Sequence, residues 1–453
     1  VKTEVNLRKI IHEILMESLE NGAYLTETVN AVLDKFDYLD KKEKSFIKII
    51  CLGTVEKLIY LDYVLDSFSK IPVRKMKADI RNILRSSLYQ ALFMESVPDS
   101  AICNEAVKLT KSTKCRSLSG FVNGLLRNIL RNRDKIKLPD EKNEANKYYS
   151  VKYSMPQWII EQFRKDFGKE KLEIMLSSIN EKKKNMIRID TGKIKPNKLV
   201  GILSKKGINL TKGPYLDECY YIDNVADIQS LEEFKKGFFY IQDVSSMISV
   251  LSAGIKKEDT VFDVCAAPGG KSIFAALLTG EKGQVKAFDN SFFKEDKVNY
   301  NIEKSGYKNI SFEIKDATIY DKNLEKKADV LICDAPCSGL GVLRRKPDIR
   351  YRITKEDEEN LALLQRNILK NVQNYVKPGG VLLYSTCTMN HIENDENVKW
   401  FKENFPFEPE SLDSFIPKEL QCDTTKEGYL QLITGIHQSD GFFIARFRRK
   451  END

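Results

Sequence analysis

The chain has 453 residues, 42% hydrophobic and 30% charged, with a formal net charge of +8. That length predicts two or three domains rather than one core, and that composition describes a soluble globular protein. No run approaches the ~20 apolar residues needed to span a bilayer.

The first residues, with Glu4, Glu13, Glu17 and Glu20 among them, do not read as a signal peptide, so a cytoplasmic location is expected. The start at Val1 fits an alternative start codon or a trimmed end. The 9 cysteines are scattered, without a Cys-x-x-Cys pair, and there are only 3 histidines, so no metal site is expected and the thiols are expected to be reduced.

Residues 1–137 predict an all-helical bundle. Leu7, Ile10, Ile11, Ile14 and Leu15 follow the spacing of one buried helix face. Ile80, Ile83, Leu84 and Leu88 repeat it, as do Val122, Leu125, Leu126, Ile129 and Leu130. On that last helix Asn123, Arg127 and Arg131 form a polar stripe. From Lys108 to Lys137 there are nine basic residues against one acid, Asp134, which is +8 in one segment and leaves the rest near neutral. Such a block is either a solvated face or the footprint of an anionic partner, nucleic acid first.

The polar stretch from Asp134 to Lys147 reads as a linker. Residues 148–236 mix helix and strand: Trp158, Ile159, Ile160 and Phe163 predict a helix after Pro156, and Met186 to Ile189 alternates as a strand. This part is expected to be a small α+β accessory domain. From residue 237 to 453 short apolar runs alternate with helical stretches. The runs are Val261–Val264, Val285–Phe288, Ile310–Ile314, Val330–Ile332, Val381–Tyr384 and Phe442–Phe447. This alternation predicts an α/β domain with a mostly parallel sheet, whose ligands bind outside the carboxyl ends of the strands.

Those strand ends carry Asp263 with a glycine turn, Asp289, Asp316, Asp334 with Cys337, and Cys387. Acidic residues are costly to bury without a ligand or partner, so four in succession suggest a site. The turn Cys265-Ala266-Ala267-Pro268-Gly269-Gly270-Lys271 lacks the spacing of a phosphate loop or a dinucleotide fingerprint. Its glycines still allow close approach of backbone to ligand. The following helix offers N–H groups to a carboxylate, and Asp289 suits ribose hydroxyls. A carboxylate plus a ribose without a pyrophosphate fits S-adenosylmethionine better than NAD.

With a methyl donor, two strand-end thiols suggest covalent attack on a pyrimidine: a thiolate added at carbon 6 makes carbon 5 nucleophilic. No histidine is expected near either cysteine in the chain, so a Cys–His protease arrangement is not expected. The bland alternative for any cysteine is a small buried hydrophobe. Cys51, Cys103, Cys115, Cys219, Cys333 and Cys422 are assigned to it, and Cys265 is expected to touch cofactor through its backbone only.

Several blocks together resemble the RNA cytosine-5 methyltransferase family of the NOL/Sun class. They are Gln242-Asp243-Val-Ser245-Ser246, Cys265 to Lys271, Asp289, Asp316, Asp334 to Gly339, Ser385-Thr386-Cys387 and Asp440-Gly441-Phe442-Phe443. The resemblance implies that Cys387 attacks carbon 6, that Cys337 assists release of the methylated base and that Asp334 hydrogen-bonds the cytosine. It also implies that Cys265, Ala266, Ala267, Pro268, Gly269, Gly270, Lys271, Asp289, Asp316 and Asp334 line the site of the methyl donor.

Phe121 to Arg131 resembles the last helices of the NusB-like RNA-binding fold. Tyr153 to Trp158 and Gly341 to Asp348 also fit. A NusB-like domain (1–137), a linker subdomain (148–236) and a Rossmann-like methyltransferase domain (237–453) resemble the Sun/Fmu-type enzymes acting on 16S ribosomal RNA. The partner implied is that RNA, free or in an early assembly intermediate. Arg188-Ile-Asp190-Thr191 departs from that family's usual Arg-Val-Asn-Thr, at a place where RNA contact is expected. Arg344 and Arg345 are candidates for phosphate contact. The alternatives are the same chemistry on transfer RNA, or a NusB-like binding module with a non-catalytic methyltransferase domain.

Overall fold

The helical periodicity at the start of the chain is realised in Leu7–Leu19, Leu25–Lys35, Lys41–Glu56, Leu58–Phe68, Ala78–Phe93, Asp99–Ser112 and Ser119–Arg131. In the computed structural model, residues 6–181, 184–225 and 227–451 are described; Val1 and Glu4 lie outside them. Asn6 caps the first helix by accepting the Lys9 N–H at 3.1 Å, and Ile10, Ile11, Ile14 and Leu15 line its buried face. Ser119–Arg131 buries Val122, Leu125, Leu126 and Ile129, each burial contributing about 1.5–3 kcal/mol. All nine basic residues between Lys108 and Lys137 are exposed. Arg127 donates to Asn123 at 2.9 Å along the stripe.

Helix Ala145–Tyr153 begins inside the stretch expected to be a linker, and Gln157–Ile179 follows, interrupted at Gly168 (φ 80°). These helices belong to the first of two compact units, which runs to Asn180 and takes in Leu343–Arg352. That boundary falls inside the accessory region expected over 148–236. The reason is visible at Ser154, whose Oγ accepts the Ile59 N–H at 2.8 Å and ties the helix end to the bundle. The segment Leu343–Arg352 is bound by specific bonds. Asp348 Oδ2 accepts the Leu25 N–H at 3.1 Å, Tyr351 donates to the Ser154 carbonyl at 2.9 Å, and Arg352 donates to the Gly22 carbonyl at 2.6 Å.

In the second unit, strands β1 (Asn185–Ile189), β2 (Asn209–Lys212), β3 (Cys219–Asp223) and β4 (Phe239–Ile241) form an antiparallel sheet in the order β2-β3-β1-β4. The larger sheet contains β5 (Thr260–Asp263), β6 (Gln284–Asp289), β7 (Ile310–Ile314), β8 (Ala328–Asp334), β9 (Val376–Thr386), β10 (Phe407–Pro409), β11 (Tyr429–Leu432) and β12 (Phe442–Arg449). Its order is β10-β12-β9-β8-β5-β6-β7, with β11 on β12. β5 to β9 are mutually parallel. β12 runs antiparallel to β9, β10 and β11, so this apolar run pairs in the opposite sense to the parallel strands beside it.

Strand alternation builds a core on each face. Val330, Ile332, Val381 and Leu383 pack with Met247, Ile248 and Phe274 on one side. Leu331, Cys333, Leu382 and Tyr384 pack with Ile368, Val372 and Phe401 on the other. Among the described residues no helix is long and apolar enough to cross a membrane.

Candidate active site

The chain order reverses beside β5: β6 and β7 lie to one side and β8 and β9 to the other. Ligands of open α/β sheets bind at such a switch point. Here it faces the ends of β5 and β8, which carry the glycine turn and Asp334.

The parallel register of β8 and β9 sets Asp334 opposite Ser385. Both cysteines follow within a few residues of that pair, and the register brings them together. Cys337 Sγ and Cys387 Sγ are 3.3 Å apart. Ser385 Oγ donates to Asp334 Oδ1 at 2.7 Å, and Lys271 Nζ donates to Asp334 Oδ2 at 2.5 Å. The Lys271 and Asp334 side chains are 14% and 25% exposed, so this ion pair is shielded from water. Burial works against the Lys271 charge, but Asp334, with Asp263 and Cys387 behind it, outweighs burial and raises the ammonium above its usual range. The hydrogen bond to Cys387 and burial both push the Cys337 thiol well up.

Close backbone packing holds this corner. The Gly341 N–H donates to the Cys387 carbonyl at 3.0 Å, and the Gly441 N–H to the Gly341 carbonyl at 2.9 Å. A Cβ on Gly341 would lie 1.9 Å from the Gly441 oxygen, so only glycine fits. The Asp440 N–H donates to Asp243 Oδ1 at 3.1 Å. Two blocks far apart in the chain therefore meet.

At the end of β5, Asp263 is fully buried; Ser272 Oγ donates to its Oδ2 at 2.6 Å, while Oδ1 has no hydrogen-bond partner among the described residues. Burial pushes this carboxyl up to about 6. Gly269 (φ 97°) begins helix Gly270–Thr279. Asp289 is buried and accepts the Ala267 N–H at 3.0 Å and the Ser291 N–H at 3.1 Å, each oxygen keeping a further lone pair. Asp316 accepts the Thr318 N–H at 2.8 Å and its hydroxyl at 2.7 Å. Ala266 donates to the Phe288 carbonyl at 2.8 Å, and Pro268 accepts Asn301 Nδ2 at 2.9 Å.

A donor with an ammonium group and a ribose fits these residues. Asp263 Oδ1 is an orphaned buried acceptor, and a Cβ on Gly270 would meet nothing closer than 3.9 Å, which leaves room for a ligand against the backbone.

Several expectations are corrected. Cys422 is exposed rather than a buried hydrophobe, with Sγ 3.3 Å from Thr424 Oγ1, because it precedes the short surface helix Asp423–Lys426. The neighbouring Cys333 and burial drive the Cys265 thiol well up. A histidine does lie close after Cys387 in the chain; His391 Nδ1 pairs with Asp395 Oδ2 at 2.7 Å and is exposed. Arg188 and Asp190 are fully buried, Arg188 donating to Gln242 at 2.7 Å and Asp190 accepting from Tyr307 at 2.7 Å. The departure at Asp190 thus belongs to the interior. Arg344 and Arg345, the candidates for phosphate contact, are half-buried in the first unit's segment. Sequence reasoning missed Ser272, Gln365, Ser385 and Glu393 as supports. Only Ser385 carried a signal, beside Cys387.

Three family models match: the NusB family over residues 5–131, an RsmF/B-like ferredoxin-like domain over 155–229, and 16S rRNA methyltransferase RsmB/F over 250–448. The probable ribosomal RNA small subunit methyltransferase B of Bacillus subtilis (strain 168) is 32% identical over 99% of each chain. The ribosomal RNA small subunit methyltransferase B of Escherichia coli (strain UTI89 / UPEC) is 26% identical over 99% of this chain and 100% of its own. Among solved structures, PH0851 matches with a TM-score of 0.82 at 24% identity, covering 99% of this chain and 100% of that one, which shows the fold. NSun6 from Pyrococcus horikoshii, crystallised with SFG, matches with a TM-score of 0.58 at 26% identity over 66% of this chain and 99% of that one.

Fold and site together define a Rossmann-like methyltransferase domain behind a NusB-like helical region. The chain belongs to the RsmB/F family of 16S rRNA methyltransferases.

Proposed function

We propose that the protein methylates carbon 5 of a specific cytosine in 16S ribosomal RNA through a covalent bond between Cys387 Sγ and carbon 6 of the base. The observation that carries this reading is the 3.3 Å approach of two thiols beside the shielded Lys271–Asp334 pair. Carbon 5 of cytosine is a poor nucleophile. Attack by Cys387 forms the S–C6 bond and moves the C5=C6 electron pair onto carbon 5. S-adenosylmethionine, the methyl donor, supplies an electrophilic methyl group to that carbon when bound. Cys265, Ala266, Ala267, Pro268, Gly269, Gly270 and Lys271 cradle the donor, Asp289 accepts from its ribose, and Asp316 and Asp334 complete the wall. Asp334 also hydrogen-bonds the cytosine, held in orientation by Lys271 and Ser385.

Release is assigned to Cys337. The C5–H bond breaks, its electron pair restores C5=C6, and Cys387 sulfur leaves with the S–C6 pair as a thiolate. The C5 proton passes to the Cys337 sulfur. Before attack, contact with the Cys387 sulfur together with burial keeps the Cys337 thiol protonated. Once Cys387 is bonded to carbon, that contact is lost, and Cys337 can yield its proton to water and serve as base.

The target base leaves its stack to reach the strand-end pocket. The NusB-like domain, 1–137, grips RNA backbone with its exposed basic segment. The subdomain 148–236 links it to the methyltransferase domain 237–453. The substrate is 16S ribosomal RNA, free or in an early assembly intermediate, in the cytoplasm.

Bisulfite sequencing of ribosomal RNA from cells with and without the gene tests this. One protected 16S cytosine lost with the gene is expected. An unchanged 16S profile with a lost transfer-RNA signal would keep the chemistry and replace the substrate. No change in either RNA would overturn the enzyme reading.

A further inference from the structure

Two adjacent buried residues with no part in the chemistry above bracket both thiols. Glu393 and Asn394 are each fully buried. Glu393 Oε2 accepts the Ser338 N–H at 2.9 Å and Gln365 Nε2 at 2.7 Å. The same Gln365 amide donates to the Pro336 carbonyl at 2.9 Å. The peptide groups on either side of Cys337 are therefore held by one Glu–Gln pair. Asn394 ties down the residues on either side of Cys387: its Oδ1 accepts Thr386 Oγ1 at 2.6 Å and its Nδ2 donates to the Thr388 carbonyl at 3.2 Å. Ser338 Oγ and Thr388 Oγ1 join the two turns at 2.7 Å.

A buried carboxyl is costly unless its bonds return more than they lose. Glu393 spends one oxygen on this clamp and leaves Oε1 without a partner among the described residues. Burial pushes the carboxyl up from its usual range, against the pull of its hydrogen bonds. Gln365 is locked in turn: its Oε1 accepts Asn397 Nδ2 at 2.7 Å and lies 3.1 Å from the Tyr384 hydroxyl. Such a network specifies one geometry for the turn it holds. Cys337 sits on a turn after the exposed Pro336; the strand register brings that turn beside Cys387, and the turn's own bonds fix where its sulfur lies.

We propose that Glu393 is a positioning residue for the release step, holding Cys337 through Ser338 and Gln365 where it can reach the base carried on Cys387. The inference rests on the roles proposed above for the two thiols. It predicts a defect confined to release. Without the clamp, one round of methyl transfer survives, and the covalent RNA–protein adduct accumulates because its breakdown slows on the order of 100-fold, as for a misplaced catalytic group.

The experiment uses the full chain with transcribed 16S ribosomal RNA and S-adenosylmethionine. Adduct is read on denaturing gels, and release as the rate of its decay. Glu393→Ala should accumulate adduct as Cys337→Ala does. Glu393→Gln keeps a carbonyl oxygen for Ser338 and Gln365 and should restore release. A Glu393→Ala enzyme that releases product at the parent rate overturns the proposal, and so does Glu393→Gln behaving like Glu393→Ala. Should Glu393→Ala not fold, Gln365→Ala, which frees the Pro336 side, must show the adduct; its absence there also overturns the clamp. Adduct with Cys337→Ala but with neither clamp variant sinks the clamp alone. No adduct with Cys337→Ala sinks the release role of Cys337 and this proposal with it.

Discussion

Asp263 allows the electrostatics of the site to be measured without substrate. Its carboxyl is fully buried at the end of β5, and burial pushes it from 3.8 up to about 6. That gap of about two units corresponds to about 3 kcal/mol of preference for the protonated form in the folded state. Because the folded value lies above the unfolded one, this contribution is fully present below pH 3.8 and is lost as pH rises through about 6. Asp263→Asn removes the titration. The difference in stability between variant and parent should therefore shift by about 3 kcal/mol in the variant's favour between acid and neutral pH. The offset depends on how the amide fits beside Ser272, but the pH slope does not. Calorimetric unfolding of both full chains in parallel across that range reads it, since the other titrating groups cancel in the difference. A difference that stays constant with pH would refute the burial argument.

Cys387→Ala should abolish both turnover and adduct while leaving methyl-donor binding intact in calorimetric titration; residual methylation would displace the nucleophile assignment. Lys271→Met removes the ammonium from Asp334 and leaves the Ser385 hydroxyl donating to it. Loss of about 3 kcal/mol from this shielded pair should lower kcat/KM roughly 100-fold, and an unchanged kcat/KM would make the pair a bystander. Arg127→Glu with Arg131→Glu should weaken RNA binding and flatten its dependence on salt, by about 0.7–0.9 in log–log slope for each phosphate no longer neutralised. An unchanged slope in filter binding would return that stripe to ordinary solvated surface.

Apolar periodicity made the helical region and six of the eight large-sheet strands legible, all but the short β10 and β11, because burying one face per element leaves a mark in local spacing. Ile310–Ile314 was read to its ends, and Val381–Tyr384 marked the buried centre of β9. The backward run of β12 was not legible, since an apolar strand reads alike in either direction. Leu343–Arg352 reads as a polar loop, yet it is bonded within the first unit, and its Asp348, Tyr351 and Arg352 find partners more than 190 positions away.

By itself the sequence determined the chemistry available: two thiols, a glycine turn and acids at strand ends, residue types that carry their functional groups wherever the fold places them. The tertiary structure decided what they can do together. The β8–β9 register, continuous from Val330 to Asp334, sets Asp334 opposite Ser385 and so brings the two cysteines to one place. Lys271 reaches Asp334 across 63 positions, and Glu393 reaches Ser338 across 55. Side-chain bonds of that span leave no periodic trace, because each is formed by packing between elements rather than by spacing within one.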